Sequence, residues 1–210
     1  MAVDMRLPEA DHTGQPWRIH EMVDDFVLAD VWAIPSPGGP DDLARLARVI
    51  AYGDESFMSN PFVRALFAIR MKLGAWFGWD PAAQAAGPGG WSLRERLPDD
   101  LRSGRRGPDV IAPGPFPSVY LTDTEWVAEC SSRSVQMVQH VGWLPDGSDG
   151  YRGQLAVLVR PKNRFGRIYM RGIMPFRRLI VVPALVRSIG RDWERAQRAE
   201  HHYAETESGR

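Results

Sequence analysis

The 210-residue chain is poor in several features, and each scarcity excludes something. It carries one cysteine, Cys130, so an internal disulfide framework and a cysteine-rich metal site are ruled out. A lone thiol suits a reducing cytoplasm. Neither sign of charge is in excess, with 26 basic and 26 acidic side chains. That balance argues against a dedicated nucleic-acid binder, whose footprint is basic. Long apolar runs are missing too. The stretch Phe62 to Trp79 is broken by Arg64, Arg70 and Lys72, and Leu179 to Val186 is short and flanked by Arg177, Arg178 and Arg187. A bilayer core of about 30 Å needs roughly 20 apolar residues, so no transmembrane helix is expected. Met1 to Gln15 is polar and lacks the apolar core of a signal peptide. The expectation is a soluble, cytoplasmic protein.

Familiar reaction motifs are equally scarce. No GxxxxGK[ST] phosphate loop, GxGxxG turn or GxSxG elbow occurs, which disfavours an ATPase, an autonomous NAD enzyme and a serine hydrolase. Cys130 lies mid-strand by pattern, with no helix N-terminus to acidify it. His12, His20, His201 and His202 do not have metal-ligand spacing. Neither a metal nor a cofactor is expected.

What is present is enough for a core: 44% of residues are hydrophobic, including 8 Trp, 8 Phe and 5 Tyr. Residues 1–16 read as a mobile tail. Trp17 to Pro35 reads as one strand or two short ones, ended by the breaker PSPGGP. Asp41 and Asp42 then suit a helix N-terminus, and Leu43, Leu46, Ala47 and Ile50 recur at helical spacing as far as Tyr52. Asn60-Pro61 starts a second helix, with Phe62, Leu66, Ile69, Leu73 and Phe77 in a stripe. Residues 80–117 are too rich in glycine and proline for regular structure and form a loop or lid, with a helical turn within Trp91 to Leu101.

From Phe116 the period changes to two. Strands alternate with turns near Thr122-Asp123 and Ser131-Ser132, and at PDGSDG before YRGQLAVLVRPK. The remainder looks helical, interrupted where Pro175 and Pro183 each remove an amide donor. Residues 199–210 read as a disordered tail. One domain over 17–198 follows. Its order of strand, helices, antiparallel strands and last helix is that of an α+β helix-grip fold, a curved antiparallel sheet wrapped around a long C-terminal helix.

Several segments together carry a resemblance. RSVQMVQHVGWL, YRGQLAVLVRPK and RIYMRGIMPFRRLIVVPALVRSIGRDW, with DVWAIPSPGG and FPSVYLTDTEWVAEC upstream, resemble a bacterial family known as domain of unknown function 2867. The family is similar to the polyketide cyclase and START-like (SRPBCC) superfamily. That similarity implies a helix-grip fold, a hydrophobic-ligand pocket and, in some relatives, cofactor-free acid–base chemistry. Members occur alone or beside an NAD-binding domain. Gln136 and Arg178 depart from the family pattern, standing where histidine is common.

By alternation, Ser134, Gln136, Val138 and His140 share one strand face, and Glu125, Val127 and Glu129 share another. Glu129 and His140 are the candidate catalytic acid–base pair, because burial can raise a carboxylate and histidine titrates near neutrality. The plain alternative is that Glu129 pairs with Arg133 while His140 serves structure. Trp32, Tyr120, Gln136 and Tyr169 are candidate ligand-binding residues. Arg177, in PFRR, could hold a ligand carboxylate or carbonyl, or pair with an acid of the sheet.

Two functions compete. The first is binding a hydrophobic small molecule, such as a polyketide- or terpenoid-like intermediate of secondary metabolism, with cyclisation, dehydration or isomerisation as the chemistry. The second is a non-catalytic module acting through a partner enzyme, a homodimer or an anionic surface. That second reading rests on charge. Residues 160–198 hold eleven basic and two acidic side chains, whereas residues 1–60 hold four and eleven. Such halves could also neutralise each other within the fold, which places the first strand and early helix near the C-terminal helix.

Overall fold

The computed structural model describes residues 5–53, 92–110, 116–132, 134–147 and 149–208, with side chains through residue 200. The helix expected from Asn60, residues 80–91 and 111–115 of the Gly/Pro-rich stretch, and Arg133 lie outside the described residues.

The protein is α+β, with one six-stranded antiparallel sheet in the order β1-β2-β6-β5-β4-β3. The strands are β1 (Arg6–Leu7), β2 (Val27–Gly38), β3 (Ser118–Leu121), β4 (Glu125–Ser131), β5 (Val135–Pro145) and β6 (Tyr151–Pro161). Register shifts in β2 and β3 mark bulges, which bend a sheet and help it curve. β5 and β6 pair without a break from Val135↔Pro161 to Pro145↔Tyr151. Their turn uses Gly147 at φ 86°, a left-handed conformation that glycine adopts at no steric cost.

Both faces of the sheet are covered. On one face Trp126, Ala128, Val141, Leu155 and Val157 form a core with α2 (Leu43–Tyr52) and the C-terminal helix. On the other, Val127, Val138 and Leu158 lie under Trp17, Ile19 and Met22 and under Leu93, Leu97 and Leu101. Double coverage explains why both faces of these strands carry buried apolar residues.

The helical C-terminus has three parts: α4 (Arg164–Phe176), a π-helical segment (Arg177–Val181) and α5 (Val182–Ser208). Asn163 caps α4 by accepting a hydrogen bond from Gly166 N at 2.8 Å. Pro175 breaks the hydrogen-bond ladder, and the wider π turn follows at once. α5 crosses β2 closely at Gly190, where a Cβ would lie 2.5 Å from Pro35. Trp193 Nε1 donates to Pro37 O at 3.0 Å and Trp143 Nε1 to Gly39 O at 2.9 Å. These bonds fix the proline-rich end of β2 into the core.

Three segment readings change. Residues 5–16, the described part of the segment read as a mobile tail, are held in place, because β1 pairs with β2 and helix α1 (Ala10–Thr13) buries His12. Trp17 to Pro35 is not all strand: Arg18–Glu21 forms a 3-10 turn, and β2 then runs through the breaker to Gly38. The last helix continues to Ser208, through residues assigned by composition to a disordered tail. Within 80–117 the described residues hold a 3-10 turn (Leu93–Arg96) and α3 (Asp99–Ser103). Among the described residues, no helix is long and apolar enough to cross a membrane.

Candidate functional site

The sheet divides the sequence-predicted residues into two groups. Trp32 and Tyr169 pack with the core on the C-terminal-helix face. Arg177 reaches Asp30 on that face. Tyr120 packs into the core of the opposite face, where Glu129, Gln136 and His140 also point.

On that second face Glu129 and His140 do not partner each other. Glu129 accepts hydrogen bonds from Ser92 Oγ, from Leu93 N at 2.9 Å and from Gln136 Nε2 at 3.1 Å. Gln136 in turn accepts from Arg160 at 2.7 Å. Arg160 and Arg96 both grip Asp25, at 2.5 Å and 2.6 Å. Hydrogen bonding to Arg96 holds the Asp25 carboxyl below the usual range, aided by Arg160 and opposed by partial burial. The chain of contacts braces Leu93–Arg96 and the turn before β2 onto the sheet. The amide of Gln136 suits the middle position, donating to a carboxylate while accepting from a guanidinium.

His140 is held by Glu125 instead, with Nε2 3.2 Å from Oε2. The same carboxylate accepts from Tyr120 Oη at 2.9 Å, Arg18 N at 2.7 Å and Ile19 N at 3.2 Å. Burial pushes the Glu125 carboxyl up, but hydrogen bonding and charge at His140, helped by the other donors, leave it below its ordinary value. Burial, then the neighbouring Glu125 charge, raises Tyr120 strongly, so its phenol stays protonated.

Two more histidines complete this cluster. His12 stacks on His140 with ring centroids 4.9 Å apart and planes 6° from parallel. His20 lies 5.0 Å from His12, and Trp17 5.2 Å from His140. The indole fits because residue 142 is glycine; a Cβ there would lie 2.7 Å from Trp17. His12 is 1% exposed and, among the described residues, neither of its ring nitrogens has a hydrogen-bond partner. Partners are also lacking at His20 Nε2, His140 Nδ1, Trp17 Nε1 and Gln154 Oε1. Burial, then the charges of His140 and His20, lowers the pKa of His12 to about 3. His20 is lowered as well, again by burial first. Among the described residues, no group of His, Cys, Asp or Glu has a geometry that could hold a metal ion.

Chemically, this is a carboxylate–imidazole arrangement. A neutral His140 donating Nε2–H to Glu125 presents Nδ1 as an acceptor. The sequence paired His140 with Glu129, whereas the structure sets Glu125 beside it; His12 and His20 entered the sequence reading only as histidines without metal-ligand spacing. The missing signal was register. The β4–β5 pairing sets Val127 opposite His140 and Glu125 opposite Gly142, which brings Glu125 beside the imidazole.

The helix-facing group centres on Asp30, whose side chain is fully buried. Its Oδ1 accepts from Arg177 at 3.2 Å, while Oδ2 has no hydrogen-bond partner among the described residues. Trp32, two residues along the same strand face, is buried with Nε1 equally unpartnered. Arg178 donates to Ala29 O, so two successive guanidiniums of the π segment meet successive residues of β2. Tyr169 packs half-buried against this core from α4. Asp30 is not named among the sequence candidates, but its contact realises the alternative given for Arg177, a pair with an acid of the sheet.

The family model described as "Protein of unknown function (DUF2867)" matches residues 22–184. No curated protein and no solved structure matches the chain.

Proposed function

The chain belongs to the DUF2867 family, and from that premise we propose that it is a helix-grip protein that binds a hydrophobic small molecule between its sheet and its C-terminal helix. Two features support the fold half of this reading. The first long strand, β2, returns beside the last, β6, and the C-terminal helix packs across β2. One observation carries the ligand half: Asp30 Oδ2 and Trp32 Nε1 are buried on the helix side without partners among the described residues, beside the Arg177 ion pair. Leaving such groups unsatisfied costs roughly 1–3 kcal/mol each, and native structures rarely tolerate that without a use. A ligand suited to them has an apolar body and a neutral head that donates once and accepts once. The hydroxyl or enol of a polyketide- or terpenoid-like intermediate meets that description. Two half-buried guanidiniums, Arg177 on the carboxylate and Arg178 on Ala29 O, would orient such a head.

The test is mass spectrometry of small molecules released by denaturing the purified protein, with titration of the hydrophobic probe 1-anilinonaphthalene-8-sulfonate. Wild type is expected to release or bind an apolar compound, and Asp30→Asn to weaken probe binding about tenfold, the effect of one hydrogen bond to a charged group. A protein that releases nothing and leaves probe fluorescence unchanged overturns the reading.

A second reading is favoured by the unpartnered atoms around His140. Here Glu125, fixed in turn by the Tyr120 hydroxyl, holds the imidazole and His140 Nδ1 moves the proton, so that cyclisation, dehydration or isomerisation needs no cofactor. Turnover of candidate intermediates should fall by at least 100-fold in His140→Asn and Glu125→Gln, the usual scale for positioned acid–base groups. Unchanged turnover in both variants removes this reading while leaving ligand binding on the helix side intact.

A further inference from the structure

We propose that the outward face of α4 and the π segment is a docking surface for anionic lipid membranes. An ordinary surface helix buries one apolar stripe and exposes polar residues elsewhere. α4 buries Gly166 and Met170 and packs Ile173 and Met174 inward, yet it also carries a second apolar line facing out. Ile168 is 69% exposed, Phe176 50% and Leu179 77%. Of the six exposed large hydrophobics described, these three and Phe165 lie between residues 165 and 179. Gly172 continues the line, with open space where a Cβ would stand.

Charge says what covers this line. Arg164, Arg167 and Arg171 recur at helical spacing along one flank of it and are exposed. Among the described residues, no acidic side chain forms an ion pair with any of the three. No acidic residue occurs anywhere from Arg160 to Arg191. An apolar ridge on a convex helix, flanked by arginines and free of acids, has the chemistry of an interfacial helix. Phe, Ile and Leu enter the boundary between headgroups and acyl chains, while the guanidiniums bind lipid phosphates. An acidic protein would also be attracted, but it would need a concave apolar groove to cover the ridge. A fluid lipid surface covers it without one. This surface lies outside both candidate sites, and its assignment is independent of them.

Flotation of the full chain with vesicles provides the test, using phosphatidylcholine alone and a 7:3 mixture with phosphatidylglycerol. Wild type should float with the anionic vesicles, remain unbound with phosphatidylcholine, and dissociate in high salt. At about 1 kcal/mol per basic residue near the surface, R164Q/R167Q/R171Q should weaken binding about 100-fold. Ile168→Asp with Leu179→Asp should abolish it, with circular dichroism confirming unchanged helix content in both variants. Wild type that ignores anionic vesicles overturns the proposal, as do variants that bind as well as wild type. So does a dimer dissociated by Leu179→Asp without any vesicle binding, which would make the face a contact between copies.

Discussion

At the scale of single residues, His12 is the most exposed to a change of pH. Its imidazole is buried against His140 and His20, with Glu125 the acid that acts on it among the described residues and Tyr120 bonded to that acid. The folded state lowers its pKa from 6.5 to about 3, so below pH 6.5 the unfolded chain binds a proton that the folded chain refuses. Stability contributed by neutral His12 is therefore complete above pH 6.5 and declines as pH falls toward 3. His20 adds to the same slope, and Glu125 adds to it at lower pH, where its carboxylate must be protonated. The total effect should be on the order of a few kcal/mol, visible as a falling Tm in thermal melts between pH 7 and pH 4. His12→Phe replaces an unpartnered imidazole with a ring of similar stacking shape and no proton to gain. Its melts should match or exceed wild type at pH 7 and show a shallower decline toward pH 4. An unchanged slope would mean that His12 does not carry the acid sensitivity.

At the scale of elements, the helix at Leu43–Tyr52 and the strands after Phe116 were legible because their periodicity is strong and their turns carry the expected residues. The proline-rich end of β2 was not. Pro35 and Pro37 read as a breaker, yet they fall in the register gap between Ile34 and Gly38, where no ladder amide is required. Neither proline therefore interrupts pairing, and the tryptophan bonds to Pro37 and Gly39 turn this stretch into an anchor. Residues 5–16 misled for another reason. Their burial depends on long-range contacts, with Met5 O accepting from Ala33 N and His12 lodged against a strand over a hundred residues later. Nothing in a short polar window carries that information. The candidate site was legible only in part for the same reason. Alternation placed Glu125, Glu129, Gln136 and His140 in rows, but register decides which carboxylate meets which base.

At the scale of the whole molecule, the sheet is a partition. The early acidic residues do meet later basic ones, through Asp25 with Arg160 and Asp30 with Arg177. These two contacts lie on opposite faces of the same strand layer. A ligand at Asp30 and Trp32 therefore has no side-chain route to Glu125 or His140 except through the strands. Energetic coupling follows contact, so substitutions on the two faces should behave independently, whereas those within one cluster should not. Denaturant unfolding of Asp30→Asn, Glu125→Gln, His140→Phe and the relevant doubles measures this. Asp30→Asn with Glu125→Gln should sum to within about 0.5 kcal/mol, while Glu125→Gln with His140→Phe should depart from additivity by about 0.5–3 kcal/mol, since each removes the other's partner. Strong coupling across the sheet would show that the faces move together, making the histidine cluster part of the ligand site. Additivity would leave two separate centres, and ligand binding could then be removed at Asp30 without disturbing the acid response of His12.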